Sequence, residues 1–139
     1  IVTFLWRAAG SPAPKGTVTV PTDVLPGSYC YNAVAWAIEN GITNGLADGS
    51  FGAGGACTRA QCVALLFRSA VANGLEAVTL QDLISGFGDA AELPAYAVPA
   101  MNWALSSRIV QGNGGLLLSN TSCTRAQIVT FLYRAYQGK

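Results

Sequence analysis

Two arginines, Arg59 and Arg125, stand in identical surroundings, each following a threonine and preceding Ala-Gln. A guanidinium is a planar fork that pairs bidentately with a carboxylate. The surrounding pattern puts both at the first turn of a helix, where unpaired N–H groups and the helix dipole favour an anion. A cation there is mildly unfavourable for the helix itself, so its presence needs another reason. Two reasons compete: contact with an anionic ligand, or pairing with a nearby carboxylate such as Asp23 or Asp89 that braces one part of the chain on the next. The four cysteines offer a second chemistry. Cys57 and Cys123 occupy the same position just before each threonine, whereas Cys30 and Cys62 fall outside that pattern. A Cys30–Cys62 disulfide is open if the two helix starts approach within about 6 Å between Cα atoms. Sequence does not choose among the pairings, and free, packed thiols are the simpler reading. Nothing in the cysteine spacing closes a metal site.

Other chemistries are excluded by composition. The chain of 139 residues contains no His, which removes Ser-His-Asp and Cys-His catalysis and every zinc site that needs an imidazole. The seven acids form no pair at fixed spacing, and no Gly-rich phosphate loop is present, so no enzyme, cofactor or metal is expected. Eight Lys/Arg against seven Asp/Glu leave a net charge of +1, without the basic footprint of a nucleic-acid binder. No stretch reaches the roughly 20 apolar residues of a membrane span. With 51% hydrophobic and 11% charged side chains, the chain has ample material for a packed core.

The elements that must position the arginines are repeated. CTRAQCVALLFR (57–68) recurs as CTRAQIVTFLYR (123–134), identical at eight of twelve positions, and IVTFLWRA (1–8) recurs as IVTFLYRA (128–135), identical at seven of eight. PTDV (21–24) aligns with FGDA (87–90), and AVAWAIENGITNG (33–45) with AMNWALSSRIVQG (100–112). The chain therefore reads as the end of one repeat (1–10), a Pro-containing linker (11–20), a second repeat (21–72), a linker (73–86) and a third repeat (87–139). The opening, without Met or a basic leader, looks like a cut piece of something longer. Each full repeat reads as two helices joined by a Gly-rich loop. The first helix is expected over about Ser28 to Asn40, with Ser28 as cap and Gly41 at the left-handed position that ends it. In the third repeat it starts near Pro99, after a turn or irregular segment over Leu93 to Val98. The second helix opens on a T-x-x-Q capping box, Thr58 with Gln61 and Thr124 with Gln127. Behind it runs an apolar stripe, Val63, Leu66, Phe67 and Ala70, or Val129, Leu132, Tyr133 and Tyr136. Val2, Leu5 and Trp6 hold the same places in the truncated copy. Asp48-Gly49 marks a tight turn, Phe51 plugs its loop into the core, and further helix is expected around Leu80 to Ile84. Arg7, Arg68 and Arg134, after the stripes, read as structural and snorkelling from the core edge. About 17 residues separate the paired helices, far more than the 3–4 of a DNA-reading helix-turn-helix.

The order of TDV, an Ala/Trp-rich helix, NGITNG, DGSF and then CTRAQ with its apolar helix resembles the S-layer homology repeat. That resemblance implies a mostly α fold of helix-loop-helix units around a pseudo-threefold axis. It implies a non-catalytic module, extracellular at the cell wall or S-layer of a bacterium, that binds anionic, often pyruvylated, secondary cell-wall polysaccharide in grooves between copies. The family's groove arginine corresponds to Arg59 and Arg125. Gln61 and Gln127 stand where many members have Glu, which keeps the cap and removes a negative charge one turn from the arginine. Candidate ligand-binding residues are then Arg59, Arg125, Asp23, Asp89, Asp48 and Gly49, with Trp36 and Trp103 either stacking on a sugar ring or packed in the core. The third repeat offers Asn113 and Gly114 in place of Asp48 and Gly49. The competing reading is a structural module, packing on another protein or forming a homo-oligomer through the truncated copy's unpaired apolar helix.

Overall fold

The computed structural model describes residues 1–76 and 81–137. Five α-helices follow one another: α1 (Val2–Ala8), α2 (Tyr31–Glu39), α3 (Arg59–Ala72), α4 (Val98–Ser106) and α5 (Arg125–Gln137), with 3-10 turns at Ala90–Glu92 and Ala95–Ala97. Among the described residues there is no strand, only two isolated antiparallel bridges, Thr58 with Ser122 and Asn113 with Leu116. The chain forms two compact units, 1–55 with 68–75, and 56–67 with 76–139, so α3 contributes to both. In the first unit α1 packs on α2, burying Val2, Leu5, Val34, Trp36 and Ile42. The core of the second collects Val63, Leu66, Met101, Trp103, Ile109, Leu117 and Phe131.

Helix ends follow the capping chemistry. Thr58 N–H donates to Gln61 Oε1 (2.8 Å) and Gln61 N–H to Thr58 Oγ1 (3.2 Å); Thr124 and Gln127 repeat this at 3.0 and 3.2 Å. At the end of α2, Gly41 N–H bonds to Ile38 C=O and Ile42 N–H to Ala37 C=O, with Gly41 at φ 67°. At the end of α4 the same two bonds run from Arg108 to Leu105 and from Ile109 to Ala104, with Arg108 at φ 56°. A side chain with a Cβ thus occupies a position that the second repeat gives to glycine. Arg68 Nη1 donates to Ile42 C=O (3.5 Å) and Arg134 Nη1 to Ile109 C=O (3.0 Å), so each ties its helix to the end of the first helix of its repeat.

The loops hang on one aspartate each. Asp23 accepts the N–H groups of Phe51, Gly52 and Ala53 (2.9, 2.8 and 3.2 Å), and Asp89 those of Leu117 and Leu118 (2.7 and 2.8 Å). The bond from Phe51 N–H leads in holding the Asp23 carboxyl below its ordinary 3.8. Partial desolvation works to raise Asp89, but its two N–H donors outweigh this and leave it below the ordinary value too. The expected Asp48-Gly49 turn is present, with Ser50 N–H on Asp48 Oδ1 at 2.9 Å and Gly49 at φ 83°.

Three expectations are corrected. The first helix of the second repeat starts at Tyr31 rather than Ser28, because Ser28 closes a turn with Leu25 and its own C=O accepts Tyr31 N–H. The stripe on α5 is displaced: Ile128 and Phe131 are buried, while Val129 and Tyr133 are 51% and 62% exposed. In α1, where α2 covers the matching face, Val2 and Leu5 are 4% and 0% exposed, so what covers the face decides the outcome. Of the helix expected around Leu80 to Ile84, Leu80 lies outside the described residues; 81–84 is not helical, because Asp82 Oδ1 accepts the N–H groups of Ile84 and Ser85.

Two outcomes test this account. The left-handed conformation costs a residue with a Cβ roughly 1–2 kcal/mol, and glycine's freedom in the unfolded chain returns roughly 0.5–1 of that. Arg108→Gly should therefore raise stability by about 0.5–1 kcal/mol, seen as a higher urea midpoint at unchanged slope. Asp23 and Asp89 ionise more readily folded than unfolded, so their contribution is complete above the ordinary carboxylate range and lost as pH falls through it. The melting temperature should hold between about pH 7 and 5 and fall below about pH 4, with a shallower fall in Asp89→Asn.

Candidate functional site

The start of α3 has four N–H groups to satisfy. Thr58 and Gln61 exchange bonds in the capping box, while Arg59 N–H donates to Thr121 C=O (3.0 Å) and Ala60 N–H to Ser119 C=O (2.9 Å). The third repeat's loop thus takes the donors that a free helix end would offer an anion. At α3 these backbone donors are therefore spent within the protein. What remains of Arg59 is its side chain. It is 8% exposed, its Nε donates to Leu117 C=O (3.0 Å), and its Cζ lies 5.1 Å from the centre of the Phe131 ring.

Arg59 borders a cavity of about 280 Å³ in the second unit, together with Gln111, Gly112, Ala126, Gln127, Thr130, Phe131 and Arg134. Two guanidinium groups line it and no carboxylate does. The first turn of α5 supplies more positive potential. Its capping box satisfies Thr124 and Gln127, but the N–H groups of Arg125 and Ala126 have no acceptor among the described residues. Two similar capping boxes therefore meet different fates. A second hollow of about 550 Å³, lined by Leu83, Phe87, Leu105, Arg108, Val110 and Gln111, is wider but carries one cation among mainly apolar side chains. The smaller cavity is thus the one that gathers two guanidinium groups and no carboxylate.

The remaining candidates are dispersed. Arg125 is exposed and does not line this cavity. Asp23 and Asp89 are engaged by loop N–H groups rather than by Arg59. Asp48 is bound to Ser50, and Gly49 shapes the turn beside it. Trp36 and Trp103 are each 8% exposed; Trp103 packs with Phe67 at 5.5 Å between ring centres, and neither borders the cavity. All four cysteines are free, so the Cys30–Cys62 bridge is not formed. Among the described residues no group of three or more His, Cys, Asp or Glu is placed to hold a metal ion. Sequence reasoning missed Arg134 as a lining residue. The signal was there, since Gln127, Thr130, Phe131 and Arg134 share one face at i, i+3, i+4, i+7.

A family model described as the S-layer homology domain matches residues 22–61 and 86–129, more than half of the chain. No curated protein and no solved structure matches. Arg59→Lys tests the structural share of this site. It keeps the charge but loses the fork that reaches Leu117 C=O, and should lower unfolding free energy by about 1–3 kcal/mol in urea titration.

Proposed function

The chain belongs to the S-layer homology family, and from that premise we propose that it is a non-catalytic anchoring module whose cavity beside Arg59 takes an acidic sugar of the secondary cell-wall polysaccharide. Domains of this family bind cell-wall polysaccharide and occur in cell-surface and S-layer proteins. No helix of the described residues is long and apolar enough to cross a membrane. The observation that carries the proposal is the pairing of two guanidiniums with an open helix start around one cavity free of carboxylates. A carboxylate such as a pyruvyl ketal matches that field, and a planar fork can meet it with two parallel bonds. The same reading carries the pseudo-threefold arrangement of copies, the limits 1–10, 21–72 and 87–139 for the repeats, and an extracellular site of action.

The test is a binding isotherm on purified cell walls, with and without stripping of the secondary polymer. Binding should require the polymer, weaken with ionic strength, and fall at least about tenfold in Arg134→Gln and in Arg59→Ala, each checked for folding by thermal melt. Arg125→Ala, outside the cavity, should bind nearly as well as the parent chain. Undiminished binding in both cavity variants would move the site elsewhere.

A second reading, packing on another protein or on a second copy, passes from the truncated copy, whose α1 face is covered by α2, to α5. Val129 and Tyr133 expose an apolar face whose counterpart on α1 is covered by α2, and such a face suits packing on another protein or a second copy. Light scattering decides: association that Tyr133→Ser abolishes would support this reading, and a strict monomer at all concentrations would count against it.

A further inference from the structure

Three of the four thiols meet at one place. Thr58 and Ser122 form an antiparallel bridge, and one step along it Cys123 N–H donates to Cys57 C=O at 2.7 Å. Cys57 and Cys123 thus stand opposite each other with one of the two bonds of an antiparallel hydrogen-bonded pair; the Cα atoms of such a pair lie about 5.5 Å apart, inside the window of about 4.4–6.8 Å that a disulfide spans. Cys62, at the end of the first turn of α3, stands close enough to both for the three thiols to shift one another's ionisation. It is 1% exposed, whereas Cys57 and Cys123 are each partly open to solvent. The third repeat has Ile128 where the second has Cys62, so the repeat pattern itself does not require a thiol there.

We propose that Cys57, Cys62 and Cys123 form a thiol-exchange site, in which a low-molecular-weight disulfide oxidises Cys123 and Cys57 to a bond joining the start of α3 to the start of α5. Cys123 attacks one sulfur of the small disulfide, forming a mixed disulfide and expelling one thiolate. Cys57 then attacks the Cys123 sulfur, forming the Cys57–Cys123 bond and expelling the second. Two protein thiols are oxidised, one small disulfide is reduced to two small thiols, and the two protons end on those thiols. The environment favours Cys123 as the attacking group: the Cys62 hydrogen bond, aided by the Arg59 charge, brings its thiol down to about 7. Cys57 is also lowered, first by its own bond with Cys62. Cys62 is pushed strongly the other way by those two hydrogen bonds and by burial, which keeps it a protonated donor that positions the reacting pair. Cys30 has its own neighbour, Ser28, at 3.7 Å.

The test treats the reduced full chain with oxidised glutathione and maps the products by mass spectrometry after digestion with trypsin and Glu-C. Cutting after Glu39, Arg59, Arg68 and Arg108 separates all four cysteines. Two thiols should disappear and a Cys57–Cys123 crosslinked peptide should form. The melting temperature should rise by roughly 5–15 °C and return on reduction. Cys62→Val should still close the bond but several-fold more slowly, and Cys123→Ser should prevent it. A crosslink through Cys62 or Cys30, persistent glutathione adducts on Cys57 and Cys123 without closure, or four thiols untouched would each overturn the proposal.

Discussion

Four backbone N–H groups at the start of α3 need acceptors, and two of them find carbonyls about sixty residues further on, at Ser119 and Thr121. Much else near the site follows from that arrangement. It draws the third repeat's loop against the helix start, brings the buried Arg59 side chain onto Leu117 C=O, and sets Cys57 opposite Cys123. Asp89 completes the support from the other side by gathering the N–H groups of Leu117 and Leu118. Because Leu117 C=O faces Arg59 Nε while Leu117 N–H faces Asp89, one residue joins the Arg59 side chain to the loop's own anchor.

Local features were legible in the sequence. Both capping boxes form, since their partners lie three residues apart, and the Gly41 helix end and the Asp48-Gly49 turn are equally short-ranged. What the sequence hid depends on distant neighbours. The buried stripe of α5 is displaced by one residue, although α1 carries almost the same eight residues; α2 packs on α1, whose Val2 and Leu5 are buried, whereas Val129 and Tyr133 of α5 are exposed. Asp23 and Asp89 were visible as repeated acids. Their true partners, backbone N–H groups 28 to 30 residues away, have no side-chain signature. Arg134 was assigned to structure, which its bond to Ile109 supports, yet the same residue borders the cavity.

Duplicated motifs have divided their tasks. In α3 the TRAQ segment spends its N–H donors on the protein and offers only a guanidinium. In α5 the same segment keeps donors open while its own arginine points to no cavity lining. Arg59 from one copy, and Arg134 with a helix start from the other, thus line a single cavity. The Cys57 and Cys123 pair lies just ahead of both segments in the sequence.

The reach of the α3 cap also bears on how the chain comes into being on the ribosome. Helical proteins usually fold fast because their contacts are local. Here the first turn of α3 is completed only by residues that lie 58 positions and more downstream of Arg59. At synthesis rates of roughly 5–20 residues per second, that leaves about 3–12 s in which the nascent helix carries open donors and an unburied arginine. Chaperone binding and mispairing have their opportunity in that interval, before the third repeat emerges to close it.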